Sequence, residues 1–393
     1  MTASNVEVRT VSRIPQGVLA AALILLGSMS EAGAQQKQPG IIVAHSRAET
    51  QVFLGSPSIA VLPSGDYVVS HDHFGDGAKE KRLMGVTDVY RSSDRGLTWR
   101  KVSRLRGQHW SNLFVHRENL YLLGTHPGQI AIRRSMDGGI SWTEPKDSKS
   151  GLLTKEKGYH TAPTPTVLHR GRLVRAFEKS EQRGFSGMKP MLISAPKDAD
   201  LLDAANWTQS PVVVHDRAWL PQKEFRGWLE GNAVVSPDGK LVNILRVHTF
   251  LSEERAAILS FNDDLTPQTI APKQDVVKMP GGAKKFVVRR DGRERYWSLV
   301  NWVPKADRAP HPARYRNRLA LVSSANLRQW KVHDIVLEGD DPKNIGFQYV
   351  DFQFEGDDII FVSRTGFPDE FGGPDNFHNS NMITFHRIKN FRE

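Results

Sequence analysis

The sequence repeats one pattern six times, and this repetition constrains the fold more than any other feature. Each copy is an apolar strand, a tight polar or glycine-containing turn and a second apolar strand, which is the pattern of a β-hairpin. The copies lie at 58–70, 112–124, 165–178, 232–246, 285–300 and 350–364. Their turns are 53 to 68 residues apart, so each unit has room for several strands. The repetition predicts an all-β fold, a β-propeller of four-stranded blades.

The repeat count gives six blades, and the ends of the chain leave two arrangements open. Segments 41–44 and 382–387 are apolar but lack the hairpin motif. They could pair with each other to complete the sixth blade, which would remove exposed edge strands, or they could build a seventh blade. A sheet covered by helices would need long amphipathic stretches between the hairpins, and the sequence offers only one short candidate, 199–205.

Two segments share the pattern Ser-x-Asp-x-Gly-x-Ser/Thr-Trp. The clear copies are Ser92–Trp99 and Ser135–Trp142, and weaker copies occupy 323–330 and 203–207. The aspartate of this pattern can accept hydrogen bonds from its own turn, while glycine supplies the positive φ angle. We therefore expect Asp94 and Asp137 to form turns and the tryptophans to pack between blades. The pattern resembles the Asp-box of sialidase-like propellers.

The first 34 residues have the composition of a secretory signal peptide. Arg9 and Arg13 precede an apolar run at 19–26, and Ala32-Gly33-Ala34 forms a small-residue cleavage pattern. The sequence thus predicts a secreted or periplasmic protein with a single catalytic propeller domain over 35–393. An uncleaved membrane anchor is the alternative, although the run is short for a span.

The charge balance favours an acidic partner. The chain has 53 basic and 43 acidic residues, a formal net charge of +10, and no cysteine, so disulfides and thiolate sites are excluded. For an exported protein this charge favours an acidic oligosaccharide or polysaccharide over nucleic acid. A basic surface without a specific partner is the alternative. We expect a monomer with no membrane span after cleavage.

Part of the sialidase active site resembles positions in this chain. Sialidases bind the sialate carboxylate with three arginines, attack with a tyrosine paired to a glutamate, and use an aspartate as the acid. By this resemblance the matching residues are Glu230, Arg246, Arg316 and Tyr349. The first arginine is missing, because the chain reads Gly55-Ser56-Pro57 where it should stand, which argues against sialic acid as the substrate.

A second resemblance is to exported bacterial propellers of glycoside hydrolase family 145 and polysaccharide lyase family 42. It rests on Ser-His-Asp-His-Phe-Gly at 70–75, Tyr-His-Thr-Ala-Pro at 159–163 and Phe-His-Arg at 385–387. It implies cleavage of L-rhamnose linked α-1,4 to D-glucuronate, a single active-site histidine at His71, and seven blades. It also allows a structural calcium ion in the centre; no cofactor is expected to be required.

The chemistry of a uronate lyase defines the candidate residues. A base must remove the proton on C5, a donor must protonate the leaving oxygen, and cations must neutralise the carboxylate. The predicted catalytic residues are His71, His160, Tyr159 and Tyr349. The predicted substrate-binding residues are Arg133, Arg175, Glu230, Arg246, Arg316 and Trp110. Each has a structural alternative, such as core packing for Trp110 or a solvated charge for Arg133, and no metal ligands are predicted.

The sequence leaves three functions open. The leading hypothesis is an exported enzyme that removes rhamnose from glucuronate by β-elimination or by hydrolysis. The alternatives are a sialidase-like exo-glycosidase and a non-catalytic glycan-binding propeller. The sequence does not separate elimination from hydrolysis.

Overall fold

The computed structural model describes residues 39–180, 184–216, 219, 225–249, 253–304 and 311–393. The predicted signal peptide lies outside these residues. Within the described part of the chain, no helix is long and apolar enough to cross a membrane.

Six antiparallel sheets form the six blades of the predicted propeller, and their strands are numbered in chain order. Blade 1 contains β2 (Phe53–Val61), β3 (Tyr67–Phe74), β4 (Val86–Ser92) and β5 (Arg100–Arg106). Blade 2 contains β6 (His109–His116), β7 (Asn119–His126) and β8 (Gln129–Ser135). Blade 3 contains β9 (Tyr159–His160), β10 (Val167–His169), β11 (Arg172–Ser180), β12 (Met188–Pro196) and β13 (Thr208–Gln209).

The remaining three blades each have four strands. Blade 4 contains β14 (Trp228–Val235), β15 (Leu241–Val247), β16 (Arg255–Phe261) and β17 (Val276–Lys278). Blade 5 contains β18 (Val288–Arg290), β19 (Tyr296–Asn301), β20 (Arg318–Ser324) and β21 (Lys331–Glu338). Blade 6 contains β22 (Gly346–Glu355), β23 (Asp358–Gly366), β24 (Met382–Ile388) and β1 (Ile41–His45). The short helices are α1 (Asp76–Glu80) and α2 (Pro272–Asp275).

The two ends of the described chain close blade 6. Strand β1 pairs with β24, with Ile41 opposite Phe385 and His45 opposite Met382. Six blades and this closure are confirmed, and the seventh blade is wrong for the described residues, because the terminal strands complete blade 6 instead. The one short candidate for a helix, 199–205, contains no α-helix, and a 3-10 turn lies at Ala204–Asn206.

The core lies between neighbouring blades, so most strands bury both faces. One apolar cluster joins β1, β2 and β3 to β23, through Val43, Leu54, Val69 and Val362. Similar clusters occupy other blade junctions. Because both faces are buried, these strands read as nearly continuous apolar runs, and the sequence does not show which face a given side chain takes.

The two Asp-box segments fold as their pattern predicts. Asp94 accepts hydrogen bonds from the Ser92 hydroxyl (2.7 Å) and the Thr98 N–H (2.9 Å). Asp137 accepts a bond from the Ser135 hydroxyl over 2.8 Å and holds its own turn in the same way. Trp99 packs on Phe385 of β24 with ring centroids 5.4 Å apart. These aspartates therefore form turns and take no part in a site.

Four inner strands carry the same irregularity, a β-bulge. Strands β2, β6, β14 and β22 each shift register near their first residues. One residue of each bulge has a left-handed backbone: Ser56 (φ 51°), Trp110 (φ 52°), Glu230 (φ 58°) and Tyr349 (φ 54°). A bulge re-aims the side chain it carries, and left-handed non-glycine residues cluster at functional sites. The repeated bulge therefore marks where the inner strands present side chains together.

Candidate active site

A cavity of about 290 Å³ lies where these bulges meet. All four bulge residues line it, together with side chains from neighbouring strands. The lining residues that concern the chemistry are Ser56, Asp72, Trp110, His160, Glu230, Tyr349 and Arg364. Its volume suits a ligand of about one sugar unit.

Tyr349 and Glu230 form the central pair of this cavity. The Tyr349 hydroxyl donates to Glu230 Oε1 over 2.9 Å, and Arg246 Nη1 donates to Glu230 Oε2 over 2.9 Å. Burial raises the pKa of Glu230, but the Arg246 guanidinium and the Tyr349 hydroxyl outweigh it and hold the pKa below its usual value. Glu230 is therefore an ionised acceptor directly on the tyrosine hydroxyl, the arrangement that activates a nucleophile.

Two further arginines lie over the Tyr349 ring. The guanidinium carbon of Arg316 is 5.7 Å from the ring centroid, and that of Arg364 is 5.0 Å from it. Arg316 also bonds the Gln348 side chain. Burial lowers the pKa of both arginines, that of Arg364 to about 9, so Arg364 stays charged at neutral pH. The centre thus gathers three guanidinium groups around one carboxylate.

Asp72 faces the same cavity from β3 of blade 1. Its Oδ2 accepts the Trp110 backbone N–H over 2.7 Å, and its Oδ1 accepts the Thr87 hydroxyl over 2.6 Å. Burial raises the pKa of Asp72, and the neighbouring His109 and these hydrogen bonds only partly offset that increase. A buried carboxyl with a raised pKa can keep its proton and act as an acid.

His160 and Trp110 form another wall of the cavity. Their rings lie 4.6 Å apart, and His160 Nδ1 donates to Glu178 Oε2 over 2.8 Å. Glu178 is fully buried on β11 and fixes the orientation of the imidazole. The Trp110 ring also stacks on His109, with ring centroids 4.3 Å apart, so the wall is built from three aromatic rings.

The structure therefore brings together six of the ten predicted site residues. His160, Tyr349, Glu230 and Trp110 line the cavity, while Arg246 and Arg316 contact its central pair. Two predicted catalytic residues and two predicted arginines lie elsewhere.

The structure places His71 outside this cavity, so its predicted catalytic role has no support from the geometry. His71 and Asp72 are adjacent on a strand and point to opposite faces. The Asp72 side chain lines the cavity. The His71 ring stacks on Tyr90, with ring centroids 5.6 Å apart, and lines a separate cavity of about 270 Å³. Burial lowers the pKa of His71 to about 3, so it stays neutral.

Tyr159 is displaced by the same alternation, because its neighbour His160 takes the cavity face. The Tyr159 hydroxyl donates to the Gln209 side chain over 3.1 Å, and Lys179 Nζ lies 4.0 Å from its ring centroid. Tyr159 therefore belongs to the packing of blade 3 and not to the site.

Arg133 and Arg175 are structural. Arg133 lies on β8, the third strand of its blade, and donates to the backbone carbonyl groups of Arg106 and Thr143. Arg175 is fully buried on β11 and donates to the carbonyl groups of Leu123 and Ala162. Both guanidinium groups tie neighbouring blades together, and neither lines the cavity.

One group of side chains has the composition of a metal site. Donor atoms of His71, His73 and Asp88 lie within 4.8 Å of one another. However, Asp88 already receives Arg104 through both oxygens (2.6 and 2.7 Å) and Lys101 at 3.1 Å. Two cations on the only carboxylate disfavour a bound metal ion, so this group is better described as an ion-pair network. The calcium ion allowed by the family resemblance stays a prediction.

The sequence interpretation missed Asp72, Glu178 and Arg364. Asp72 stands inside the quoted motif at 70–75, but β3 is buried on both faces and periodicity cannot select between His71 and Asp72. Arg364 ends the last repeat, and its approach to the cavity depends on the closure of the ring. Asp72 and Arg364 occupy the same place in their repeats as Arg246, each opposite the residue that precedes a bulge, so alignment of the repeats was the available signal.

Comparison with solved structures shows the same fold at low identity. A Penicillium chrysogenum α-L-arabinanase complexed with arabinobiose shares 12% identity over 90% of this chain and 98% of its own, with a TM-score of 0.52. A Fusarium graminearum α-L-arabinofuranosidase of family GH93 shares 10% over 90% and 97%, with a TM-score of 0.54. A Hadza microbial sialidase shares 13% over 89% of this chain and 68% of its own, with a TM-score of 0.57.

The chain has a six-bladed β-propeller fold. No protein-family model matches the chain, and no curated protein matches it either. At these identities the structural likeness concerns the fold alone. Function must therefore be argued from the residues of the cavity.

Proposed function

We propose that this protein is a glycoside hydrolase that removes a terminal, acidic sugar with Tyr349 as the nucleophile. The observation that carries the proposal is the hydrogen bond of 2.9 Å from the Tyr349 hydroxyl to Glu230 in a cavity of single-sugar size. A tyrosine is a weak nucleophile, and an adjacent ionised carboxylate that can take its proton is the usual means of activation.

The reaction consists of two successive displacements at the anomeric carbon. Tyr349 Oη attacks the anomeric carbon and passes its proton to Glu230, while protonated Asp72 gives its proton to the departing glycosidic oxygen. The glycosidic bond breaks and a glycosyl–tyrosine bond forms. Asp72, now ionised, then takes a proton from water, which attacks the anomeric carbon; Tyr349 leaves and recovers its proton from Glu230. Two displacements retain the configuration of the sugar.

The charge of the cavity supports an acidic substrate. Arg246 and Arg316 flank Tyr349, and only one of their positive charges is balanced by Glu230. A sugar carboxylate would supply the missing negative charge. The fold is shared with a sialidase and with arabinan-degrading enzymes, so it is compatible with cleavage of a terminal sugar. Export, predicted from the first 34 residues, would place the enzyme in contact with such glycans.

The test compares Tyr349→Phe with Tyr159→Phe, a matched tyrosine outside the cavity. Purified variants are assayed on nitrophenyl sialoside, glucuronide and arabinofuranoside, and thermal unfolding is recorded for each. We expect Tyr349→Phe to lower kcat about 10³-fold or more, on the scale of a lost nucleophile, with Tyr159→Phe close to wild type. A Tyr349→Phe variant with wild-type kcat on the cleaved substrate would refute the mechanism.

A second candidate is cleavage of L-rhamnose from D-glucuronate, and the orientation of His160 by Glu178 favours it. An imidazole held by a carboxylate can act as the base that removes the C5 proton in an elimination. His71 lies outside the cavity, which is lined by His73, His109, His160 and His378, and His160 is the one of these that Glu178 holds, over 2.8 Å. Gum arabic oligosaccharides incubated with the protein distinguish the candidates. Elimination gives rhamnose with ultraviolet absorbance of an unsaturated uronate, and hydrolysis of the rhamnose–glucuronate bond gives rhamnose without it. A hydrolase that acts only on a terminal acidic sugar releases no rhamnose from this substrate.

A further inference from the structure

Arg364 is a buried cation whose ion-pair partner is missing. It lies on β23 of blade 6 and only about 5% of it is exposed. Arg246 is paired with Glu230, but no carboxylate in the described part of the chain lies within ion-pairing distance of Arg364. Its Nη2 donates to the His378 carbonyl, and its Nε has no hydrogen-bond partner among the described residues. A buried charge in this condition is costly unless a ligand completes it.

Aromatic rings hold the guanidinium at the cavity in the absence of a counter-ion. Its central carbon is 4.4 Å from the Phe74 ring centroid and 5.0 Å from that of Tyr349. Such contacts stabilise a guanidinium by orienting the negative face of each ring toward it. Arg364 and Gly55, which its Nη1 approaches, both line the cavity. The arrangement fixes the position of the charge without neutralising it.

The same guanidinium lies against Gly55 of β2. A Cβ atom built on Gly55 would be 3.8 Å from Arg364 Nη1 and 3.2 Å from the Phe74 ring. Gly55 is the start of the segment where the sialidase resemblance expects the first arginine of the carboxylate site, and the sequence has none there. Glycine leaves room on β2, and a side chain from the adjoining blade 6 fills the region beside it.

We propose that Arg364 binds the substrate carboxylate as the third arm of a three-arginine site, in place of the arginine that β2 lacks. The ligand class is a sugar carboxylate held between Arg246, Arg316 and Arg364 around Tyr349. This inference rests on the proposed function, since it assigns the acidic group of that substrate. If it holds, the absence of the first arginine from β2 does not reduce the number of arginines available to bind the carboxylate.

The test measures preference for a carboxylate, separately from turnover. N-acetylneuraminate and D-glucuronate are each titrated against their methyl esters by calorimetry, with wild type, Arg364→Gln and Arg364→Lys. We expect wild type to prefer one acid over its ester, and Arg364→Gln to weaken that acid about 10- to 100-fold with little effect on the ester. Arg364→Lys should recover part of the preference, because it restores the charge without the planar donor set.

A relocation experiment gives the sharpest result. Gly55→Arg is introduced into Arg364→Ala, which removes the guanidinium beside β2; the Phe74 ring, 3.2 Å from a Cβ at Gly55, must shift slightly to admit the new side chain. If Arg364 replaces the arginine missing from β2, this double variant regains preference for the acid that Arg364→Ala has lost. Thermal unfolding of each variant shows that it is folded.

The outcomes separate the two proposals. If wild type prefers the acid and Arg364→Gln keeps the full preference, the role of Arg364 is refuted and the proposed function is unaffected. Wild type that prefers neither acid over its ester overturns the acidic substrate, and with it the role of Arg364. Loss of the preference in Arg364→Gln with recovery in the double variant supports the inference.

Discussion

The bulges of β6 and β14 are built alike, but the carboxylates that hold them differ in environment. Asp72, on the second strand of blade 1, accepts the N–H of Trp110 in the next blade over 2.7 Å. Glu178, on β11 of blade 3, accepts the N–H of Gly231 in the next blade over 3.0 Å. Both carboxylates are buried. Each therefore satisfies a backbone donor that the bulge removes from the strand ladder.

The second oxygen of each carboxylate makes the difference. In Glu178 it accepts from the His160 ring over 2.8 Å, a group that can carry a positive charge. In Asp72 it accepts from the neutral Thr87 hydroxyl, and burial raises its pKa. The same structural position thus provides an orienting carboxylate in one blade and a proton-holding carboxyl in another. The partner of one oxygen decides which role is available.

Asp72→Asn is expected to have the largest effect on activity, and it tests directly whether Asp72 has a different role from Glu178. Asparagine keeps an acceptor for the Trp110 N–H but cannot donate a proton to the leaving oxygen. We expect kcat/KM to fall about 10²- to 10⁴-fold with a sugar leaving group, the usual contribution of a general acid. With a nitrophenyl leaving group, which needs little protonation, the decrease should be about tenfold or less. Equal decreases on both substrates would make Asp72 only the anchor of the bulge.

The pH dependence of kcat/KM tests the protonation states of Glu230 and Asp72. Glu230 must be ionised and its pKa is lowered, so the acid limb should lie below the usual pKa of glutamate. Asp72 must be protonated and its pKa is raised, so the alkaline limb should lie above the usual pKa of aspartate. Activity falls about tenfold per pH unit beyond each limb. Asp72→Asn assayed on the nitrophenyl substrate should lose the alkaline limb; a limb unchanged by this substitution would assign it to another group.

Glu178→Gln should have a smaller effect on activity. Glutamine keeps an oxygen for the Gly231 N–H but places an amide against His160 Nδ1, which disturbs the orientation of the ring. We expect a decrease in kcat/KM of about tenfold, similar for both leaving groups, as for other residues that orient an active-site histidine. A decrease of about 10³-fold together with loss of unsaturated product would instead identify His160 as the base of an elimination.

The smallest effect concerns stability. Because the folded pKa of Asp72 is raised, its stabilising contribution is present below the unfolded pKa and is lost as pH rises through the folded pKa. Asp72→Asn should therefore raise Tm at neutral pH, and this gain should disappear below about pH 4, near the unfolded pKa. Calorimetric scans across pH measure the difference. A gain that persists unchanged at low pH would show that ionisation of Asp72 is not its cause.

Local residue types made much of the scaffold predictable. The Asp94 and Asp137 turns depend on residues within a few positions, so their hydrogen bonds follow from the local pattern. The hairpins likewise depend on short-range alternation and turn residues. Glu230, Arg246 and Tyr349 were identified by resemblance, at spacings along the chain that the propeller brings together.

Other residues of the site could not be assigned in this way. His71 and Asp72 are equally plausible in the sequence, because β3 packs against a blade on each side and shows no polar face. Tyr159 and His160 present the same ambiguity. A shift of one residue along a strand moves each side chain to the opposite face. Which of two neighbouring residues faces the cavity therefore depends on the register set by the bulges and by the pairing of whole blades.

The sequence by itself determined the number of repeats, the turns and the all-β character, because these follow from interactions between residues close along the chain. The tertiary structure decided which faces point to the centre, that β1 completes blade 6, and that Arg364 comes to lie beside Gly55. The physical reason is that closing the ring brings the ends of the chain together. Contacts between residues about 300 positions apart therefore form only once every blade is in register.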